Sequence, residues 1–284
     1  MIIDGKAHAA AITQQVKQRV DEIIQSGQAP PHLAVVLVGD DPASQVYVRN
    51  KQIACEKAGM GSSLHRLPAD VTQQELEDVL IGLNADKNVH GILVQLPLPK
   101  HLCADTIISS ICDEKDVDCL HPYNIGLMAT GQPRFLPCTP GGIITLLKRE
   151  NIDIAGKNAV IVGRSNIVGK PMVFLLLAEN ATVTVCHSRT QNLAEVCRNA
   201  DILVAAIGRA KFITADYVKD GAVVIDVGIN REDGKLCGDV DYDNVAGKAS
   251  YITPVPGGVG PMTIATLLEN CVRAWEREWE VKNV

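Results

Sequence analysis

The sequence predicts an α/β protein of two domains, and three observations carry that expectation. Apolar, β-branched runs alternate with helical patterns along the whole chain, the signature of parallel strands joined by helices. The length of 284 residues suits about two domains of roughly 150 residues each. Two Pro/Gly-rich segments of similar type, PCTPGG (137–142) and TPVPGG (253–258), bracket the second alternating block, and domain boundaries tend to fall in such stretches. The expected layout is an N-terminal α/β domain over 1–140, completed by 261–284, and a second parallel-sheet domain over 141–260. The last helix, about 262–280, would return to the first domain.

The first block reads in order as follows. LAVVLV (33–38) is a buried parallel strand. Residues 44–60 form a helix that turns Val48, Ile53 and Cys55 inward and ends at Gly59. LHRL (64–67) is a short strand. VTQQELEDVLIGLNAD (71–86) is a helix with Thr72 as N-cap and Glu75 three residues on, a capping box. GILVQLPLP (91–99) is a strand that prolines terminate. In the second block, NAVIVG (158–163), ATVTVCH (181–187), DILVAAIG (201–208) and GAVVIDVG (221–228) are strands. VGKPMVFLLLAE (168–179) and NLAEVCRNA (192–200) are the helices between them. PCTPGG and TPVPGG read as rigid turns, each feeding an apolar helix.

Composition excludes several classes. The hydrophobic share is 46% and the charged share 21%, which is that of a globular protein and not of a disordered one. A net charge of −6 argues against nucleic acid or an anionic membrane as partner. No apolar run approaches the ~20 residues of a membrane span. The opening MIIDGKAHAAAITQQV has no basic region followed by a long apolar stretch, so no secretory leader is expected. Nine cysteines without a Cys-x-x-Cys read as reduced thiols of a cytoplasmic protein. Cys103, Cys112 and Cys119 lie near His101 and His121, but their spacing fits no zinc pattern, and no metal is expected.

The second block carries a phosphate-binding turn. The strand AVIVG runs into Gly163-Arg164-Ser165 and then, from Gly169, a helix. Glycine at the strand end lets backbone approach a pyrophosphate, and the helix N-terminus offers N–H groups and a positive dipole. Ser165 stands where G-x-G-x-x-G has its second glycine, and the alternative is an ordinary tight turn. The context makes this domain Rossmann-like. NAD sites usually carry an acid at the end of the second strand. Here that strand ends in His187-Ser188-Arg189-Thr190. A hydroxyl and a guanidinium suit a 2′-phosphate, and Arg164 adds a second cation. NADP is therefore favoured over NAD; the alternative for either arginine is a solvated surface charge.

The first block places Tyr47 and Lys51 four residues apart on one helix face. This helix follows the first strand, and parallel sheets open their binding crevice beyond the strand C-termini. A lysine partly desolvated there can exchange protons near neutrality, with the tyrosine hydroxyl holding it. The bland alternative is a snorkelling lysine beside a half-buried tyrosine. Gln95 interrupts an apolar run, and a buried amide needs a partner. Asp116 and Asp118 lie in DEKDVDCLHP (113–122). A carboxylate can accept two hydrogen bonds from an amino-pyrimidine-like edge; the alternative is a solvated acidic loop.

Across essentially its whole length the chain resembles the bifunctional methylenetetrahydrofolate dehydrogenase/cyclohydrolase family of bacterial type. The resemblance is carried by YVRNK (47–51), GILVQLPLP (91–99), KDVD (115–118), HPYNIG (121–126), PCTPGG (137–142), GRSNIVGKP (163–171), VIDVGIN (224–230) and ITPVPGGVGPMT (252–263). It implies oxidation of 5,10-methylenetetrahydrofolate by NADP, then hydrolysis of the methenyl product to 10-formyltetrahydrofolate. It implies Lys51 as the key hydrolytic group, positioned by Tyr47 and Gln95, and Asp118 on the pterin ring. Val94 and Leu96 would join the folate site, with Pro256, Gly257, Gly258, Val259 and Gly260 lining it. Gly163, Arg164, Ser165, Ser188, Arg189 and Ile229 would meet the cofactor. It further implies a homodimer that supplies formyl groups for purine synthesis, with links to methionine and histidine synthesis. Many members read KDVDGFHP, whereas this chain has Cys119-Leu120. Three competing readings are a monofunctional dehydrogenase, a shikimate- or amino-acid-dehydrogenase-like enzyme, and a non-catalytic dinucleotide-binding regulator. The first is opposed by Tyr47, Lys51 and Gln95 together, the second by VQLPLP and PVPGGVGP together, and the third by the whole polar group.

Overall fold

The computed structural model describes residues 1–282; residues 283 and 284, assigned above to the first domain, lie outside the described residues. In chain order the first elements are α1 (Gly5–Gln25), β1 (His32–Val38), α2 (Pro42–Lys57), β2 (Gly61–Leu67), α3 (Gln73–Ala85), β3 (Gly91–Val94), α4 (Ala104–Ser109), α5 (Pro122–Ala129) and α6 (Cys138–Arg149). There follow β4 (Asn158–Val162), α7 (Gly169–Ala178), β5 (Thr182–Cys186), α8 (Leu193–Cys197), β6 (Ile202–Ala205) and β7 (Val223–Asp226). The chain closes with β8 (Asn230–Glu232), β9 (Lys235–Cys237), α9 (Tyr242–Val245), β10 (Tyr251–Ile252) and α10 (Val259–Lys282). It divides into two compact units: residues 11–136 with those from Ile264 on, and Met1–Ala10 with Pro137–Thr263.

The unit of residues 11–136 is built on a three-stranded parallel sheet in the order β2-β1-β3. β1 is buried from Leu33 to Val38, as a strand covered on both faces must be. Ala34, Val36 and Val38 pack with Leu76, Leu80 and Leu83 of α3 and Ile107 of α4. Burial of each such leucine stabilises by about 1.5–3 kcal/mol. The capping box of α3 forms as expected: Glu75 N–H donates to Thr72 Oγ1 at 3.2 Å and Thr72 N–H to Glu75 Oε2 at 2.8 Å. α2 starts earlier than the sequence reading placed it. Asp41 Oδ2 accepts Ser44 N–H at 2.8 Å and Pro42 occupies the first turn. It ends at Gly59, whose φ is +73°, with Met60 N–H donating back to Cys55 O at 2.9 Å.

Some expectations for this unit are corrected. Val48 and Cys55 of α2 are buried, but Ile53 is 37% exposed. At 3.6 residues per turn, position 53 is rotated about 140° from position 48, so no single inward face holds both. The third strand stops at Val94, not Pro99. Gln95 N–H still donates to Val36 O at 2.9 Å. Beyond it, Pro97 and Pro99 have no N–H to give a ladder.

α10 returns to this unit through a polar anchor. Asn270 Nδ2 donates to Val117 O and to Leu136 O, each at 2.8 Å. Close by, a Cβ on Gly91 would lie 2.9 Å from Val117 Cγ1 and 3.1 Å from Cys271 Sγ, so the strand start has no room for a side chain.

The other unit holds a five-stranded parallel sheet in the order β10-β7-β6-β4-β5. Val160, Val162, Leu203, Ala205, Val224 and Ile252 form one apolar face of it. The start of the chain adds to its edge, with Ile3 N–H donating to Ile252 O at 2.9 Å and Ile252 N–H to Met1 O at 3.0 Å. The two Pro/Gly segments turn out to differ. TPVPGG is a loop, with Gly257 at φ +107°. PCTPGG is no turn, because α6 is helical from Cys138. Pro140 fits its first turn, where a missing N–H has no helical partner to lose.

Replacing Asn270 with alanine strands two inward-facing carbonyls. We expect Asn270→Ala to lower stability by about 2 kcal/mol, read as a lower urea midpoint at unchanged slope.

Candidate active site

The lysine centre lies at the carboxyl ends of β1 and β3. Lys51 sits on α2, one turn after Tyr47, so the two share a face. Tyr47 is 36% exposed and Lys51 half-buried. Lys51 Nζ donates to Gln95 Oε1 at 2.9 Å. The Gln95 amide is fixed at its other end too, because Nε2 donates to Leu96 O at 2.7 Å. Its backbone is held to β1 as described above. The glutamine is therefore not a core residue of a strand; it lies just past the strand end, its oxygen aimed at the lysine nitrogen. Val94 is buried and Leu96 half-buried beside it.

Asp116 and Asp118 divide the two roles read for them. Asp116 is 1% exposed, so the solvated-loop alternative fails for it. Its oxygens accept Leu120 N–H at 3.1 Å, His121 N–H at 2.8 Å and Asn124 Nδ2 at 2.8 Å. It organises the loop into α5 and has no oxygen turned outward for a ligand. Burial raises its pKa from 3.8 to about 6, against the pull of those three donors. Asp118 is half-buried, two residues on. The cysteines and histidines nearby are dispersed: His101 Nε2 meets Val71 O at 2.9 Å, and His121 Nδ1 accepts Tyr123 N–H at 3.1 Å. Among the described residues no group of three or more His, Cys, Asp or Glu is placed to hold a metal.

The dinucleotide turn belongs to the other unit. Gly163 has φ +132°, and a Cβ there would lie 2.1 Å from Ala206 O. The turns after β4 and β6 are thus in contact, at the point where strand order reverses and parallel sheets open their ligand crevice. A Cβ on Gly169 would lie 2.4 Å from Gly163 O, so α7 starts pressed against the turn. The structure corrects one detail. The N–H groups at the start of α7 are not all free: Ser165 Oγ accepts those of Val168 at 3.2 Å and Gly169 at 3.3 Å, and Ser165 O that of Lys170 at 3.0 Å. With its oxygen so used, the Ser165 hydroxyl hydrogen is left to donate outward. Arg164 is exposed.

At the end of β5 the turn closes on itself. His187 N–H donates to Thr190 Oγ1 at 2.8 Å and Arg189 N–H to His187 Nδ1 at 3.1 Å. Ser188 and Arg189 are exposed on it. Ile229 is 49% exposed in the loop after β7. The 256–260 segment lies in the same unit. There Gly257 O accepts Lys6 N–H at 2.9 Å. A Cβ on Gly5 would lie 1.9 Å from Gly258 O. Val259 is buried, Gly260 half-buried and Pro256 exposed.

Comparison with known proteins decides the family. Residues 3–118 match the tetrahydrofolate dehydrogenase/cyclohydrolase catalytic domain, and residues 137–279 its NAD(P)-binding domain. The chain belongs to the tetrahydrofolate dehydrogenase/cyclohydrolase family. It is 59% identical to the bifunctional protein FolD of Agathobacter rectalis over 277 residues, covering 97% of this chain and 99% of that one. The crystal structure of the bifunctional enzyme FolD from Campylobacter jejuni superposes with a TM-score of 0.96 at 50% identity, covering 98% and 99% of the two chains. The Trypanosoma brucei enzyme, complexed with NADP cofactor and inhibitor, gives 0.94 at 39% identity, covering 98% of each.

The departure noted within KDVD-Cys119-Leu120 now has a geometry. Cys119 has φ +57°, a left-handed backbone that glycine adopts freely and other residues at about 1 kcal/mol or more. Its buried Sγ donates to Phe135 O at 3.4 Å, a contact glycine cannot make. Sequence reasoning missed Asn270, the hydroxyl cap of Ser165, and a pair of buried carboxylates, Asp226 and Asp239. An aspartate closing an apolar strand, as in VVID, was the available signal.

The pH behaviour of Asp116 follows from its environment. Its folded pKa of about 6 exceeds its ordinary 3.8, so between those values the folded state holds more protons than the unfolded one. Its contribution therefore strengthens as pH falls through that window and is lost as pH rises through 6. We expect Asp116→Asn to remove this component. The difference in urea midpoint between wild type and variant should change between pH 6 and pH 4 and be constant above pH 7.

Proposed function

We propose that this chain oxidises 5,10-methylenetetrahydrofolate with NADP and hydrolyses the methenyl product to 10-formyltetrahydrofolate, with Lys51 as the acid–base group of hydrolysis. The observation that carries the residue assignment is the Lys51–Gln95 hydrogen bond at the strand ends. The proposal assigns 1–140 with 261–284 to folate and 141–260 to NADP; the compact units differ from these bounds in grouping 1–10, 137–140 and 261–263 with the five-stranded sheet.

Methenyltetrahydrofolate is an amidinium-like electrophile. Water attacking its carbon must lose a proton, and the nitrogen leaving the tetrahedral adduct must gain one. A single amine can do both, taking the proton and returning it. Gln95 holds the Lys51 nitrogen in place, and Tyr47 flanks it one turn earlier. Asp118, rather than the fully engaged Asp116, accepts the amino-pyrimidine edge of the pterin. Val94 and Leu96, beside Gln95, add apolar folate contacts.

The residues of the second unit fit NADP. Gly163 leaves bare backbone at the β4 end, Ser165 has a hydroxyl hydrogen to give, and Ser188 with Arg189 offers a hydroxyl and a forked cation for a 2′-phosphate. Arg164 adds positive charge, and Ile229 is an exposed apolar contact for the ring system. When bound, NADP supplies the hydride acceptor. Hydride transfer needs little acid–base help, and the protein contributes positioning.

We place the enzyme in the cytoplasm as a homodimer. The nine cysteines are all free, six of them buried, which suits a reducing compartment. Among the described residues no helix is long and apolar enough to cross a membrane.

Lys51→Met is expected to lower methenyl hydrolysis at least 100-fold with NADP affinity within twofold of wild type; hydrolysis at wild-type rate would refute the assignment. Arg189→Ala is expected to raise KM for NADP about tenfold and leave KM for NAD unchanged. An equal effect on both coenzymes would remove Arg189 from the 2′-phosphate.

A further inference from the structure

Behind the strand ends of the five-stranded sheet lie two aspartates that the chemistry above does not use. Asp239 is 0% and Asp226 2% exposed. Asp239 Oδ2 accepts Ile207 N–H at 2.7 Å and Gly208 N–H at 3.0 Å, and its Oδ1 accepts Arg209 N–H at 2.8 Å. Three successive backbone N–H groups thus converge on one carboxylate. Gly208, at φ +65°, supplies the left-handed residue such a concave turn requires. Oδ1 also accepts Asn230 Nδ2 at 2.9 Å, which ties in the residue after Ile229.

Asp226 in turn sets Asp239. Its Oδ1 accepts Asp239 N–H at 2.8 Å and Gly228 N–H at 3.0 Å, and its Oδ2 accepts Val240 N–H at 2.9 Å. The approach is close enough to exclude side chains. A Cβ on Gly238 would lie 1.8 Å from Asp226 Oδ2, and one on Gly228 would lie 2.3 Å from Asp239 Oδ1. Every acceptor oxygen of the pair is used, and together they hold the segments after β6, β7 and β9. The loop after β6 begins at Ala206, whose carbonyl is the atom pressed against Gly163.

We propose that Asp239, oriented by Asp226, is a positioning residue for the dinucleotide, holding the 207–209 loop and Asn230 as one wall of the cofactor crevice. This rests on the reading that NADP binds at the ends of β4 to β7. Charge matters in it, because an ionised carboxylate accepts from all four donors at once, whereas an amide has one oxygen and turns an NH2 toward the remaining donors. Hydrolysis of methenyltetrahydrofolate needs no hydride acceptor, so the same molecule carries an internal control.

The test is NADP titration calorimetry on wild type and Asp239→Asn, with dehydrogenase kinetics and methenyl hydrolysis without NADP. The expected result is a Kd for NADP raised tenfold or more, about 1.4 kcal/mol, and a matching rise in KM. Dehydrogenase kcat at saturating NADP should stay within threefold, and hydrolysis within twofold. An unchanged Kd overturns the proposal, and so does a parallel loss of hydrolysis in a variant that unfolds at the wild-type temperature. If Asp239→Asn does not fold, Asn230→Ala decides. It removes one donor, and a Kd raised about threefold with hydrolysis intact supports the brace, whereas an unchanged Kd overturns it. Wild type that hydrolyses methenyltetrahydrofolate but does not bind NADP would refute the cofactor reading itself.

Discussion

The hydrogen bond from Lys51 Nζ to Gln95 Oε1 depends on several elements of the unit built from residues 11–136. It joins a helix that follows β1 to a segment that follows β3, so it exists only if those two strands are neighbours in the right register. That register is Leu33 opposite Gly91 through Val36 opposite Val94, with Gln95 one step beyond. A shift by one residue would send the glutamine to the other face of the sheet. Both faces of β1 are buried, and Gly91 is hemmed in by Val117 and Cys271, so packing makes such a shift costly. The asparagine anchor of α10 at Val117 and Leu136 secures the same neighbourhood. The position of one amine is thus set by a sheet, two helices and a loop, each held by its own burial.

The dinucleotide unit works by a different constraint, the absence of side chains. Gly163, Gly169, Gly228 and Gly238 each sit where a Cβ would lie 2.4 Å or less from another atom. The first two let the turn after β4 lie against the β6 turn and the helix start. The other two let buried carboxylates reach backbone N–H groups. An unpaired buried carboxylate would be costly. Asp226 and Asp239 escape that cost by gathering donors from several loops, which also makes those loops one body. Rigid loops need not be ordered when a ligand arrives, so less binding energy is lost to ordering.

Much of this was legible in the sequence, for reasons that can be stated residue by residue. The capping box at Thr72, the alternation of strands and helices, and the glycine at the end of β4 are local signals, and each appears where it was read. Ile53 was misplaced because its five-residue spacing from Val48 looked helical but does not close on 3.6. The end of β3 was misread because the strand was carried to Pro99, when the regular ladder already stops at Val94 and only the Gln95 N–H pairs beyond it. PCTPGG looked like a turn because proline and glycine are ambiguous between a turn and the first turn of a helix. The roles of Asp116, Asp226, Asp239 and Asn270 depend on partners 2 to 153 residues away, most of them more than ten. No local pattern announces those partners. The left-handed Cys119 is the reverse case: the family resemblance marked the position, and only the backbone angle explains it.

The central claim is that Lys51 performs hydrolysis from a position that Gln95 holds. A double-mutant cycle on kcat/KM for methenyl hydrolysis, with Gln95→Leu, Lys51→Met and both together, tests it most directly. If the claim holds, Gln95→Leu alone slows hydrolysis strongly but adds nothing once Lys51 is gone, so the double variant matches Lys51→Met. If the two losses multiply instead, Gln95 acts independently of Lys51, and the account of the site built on their contact is wrong.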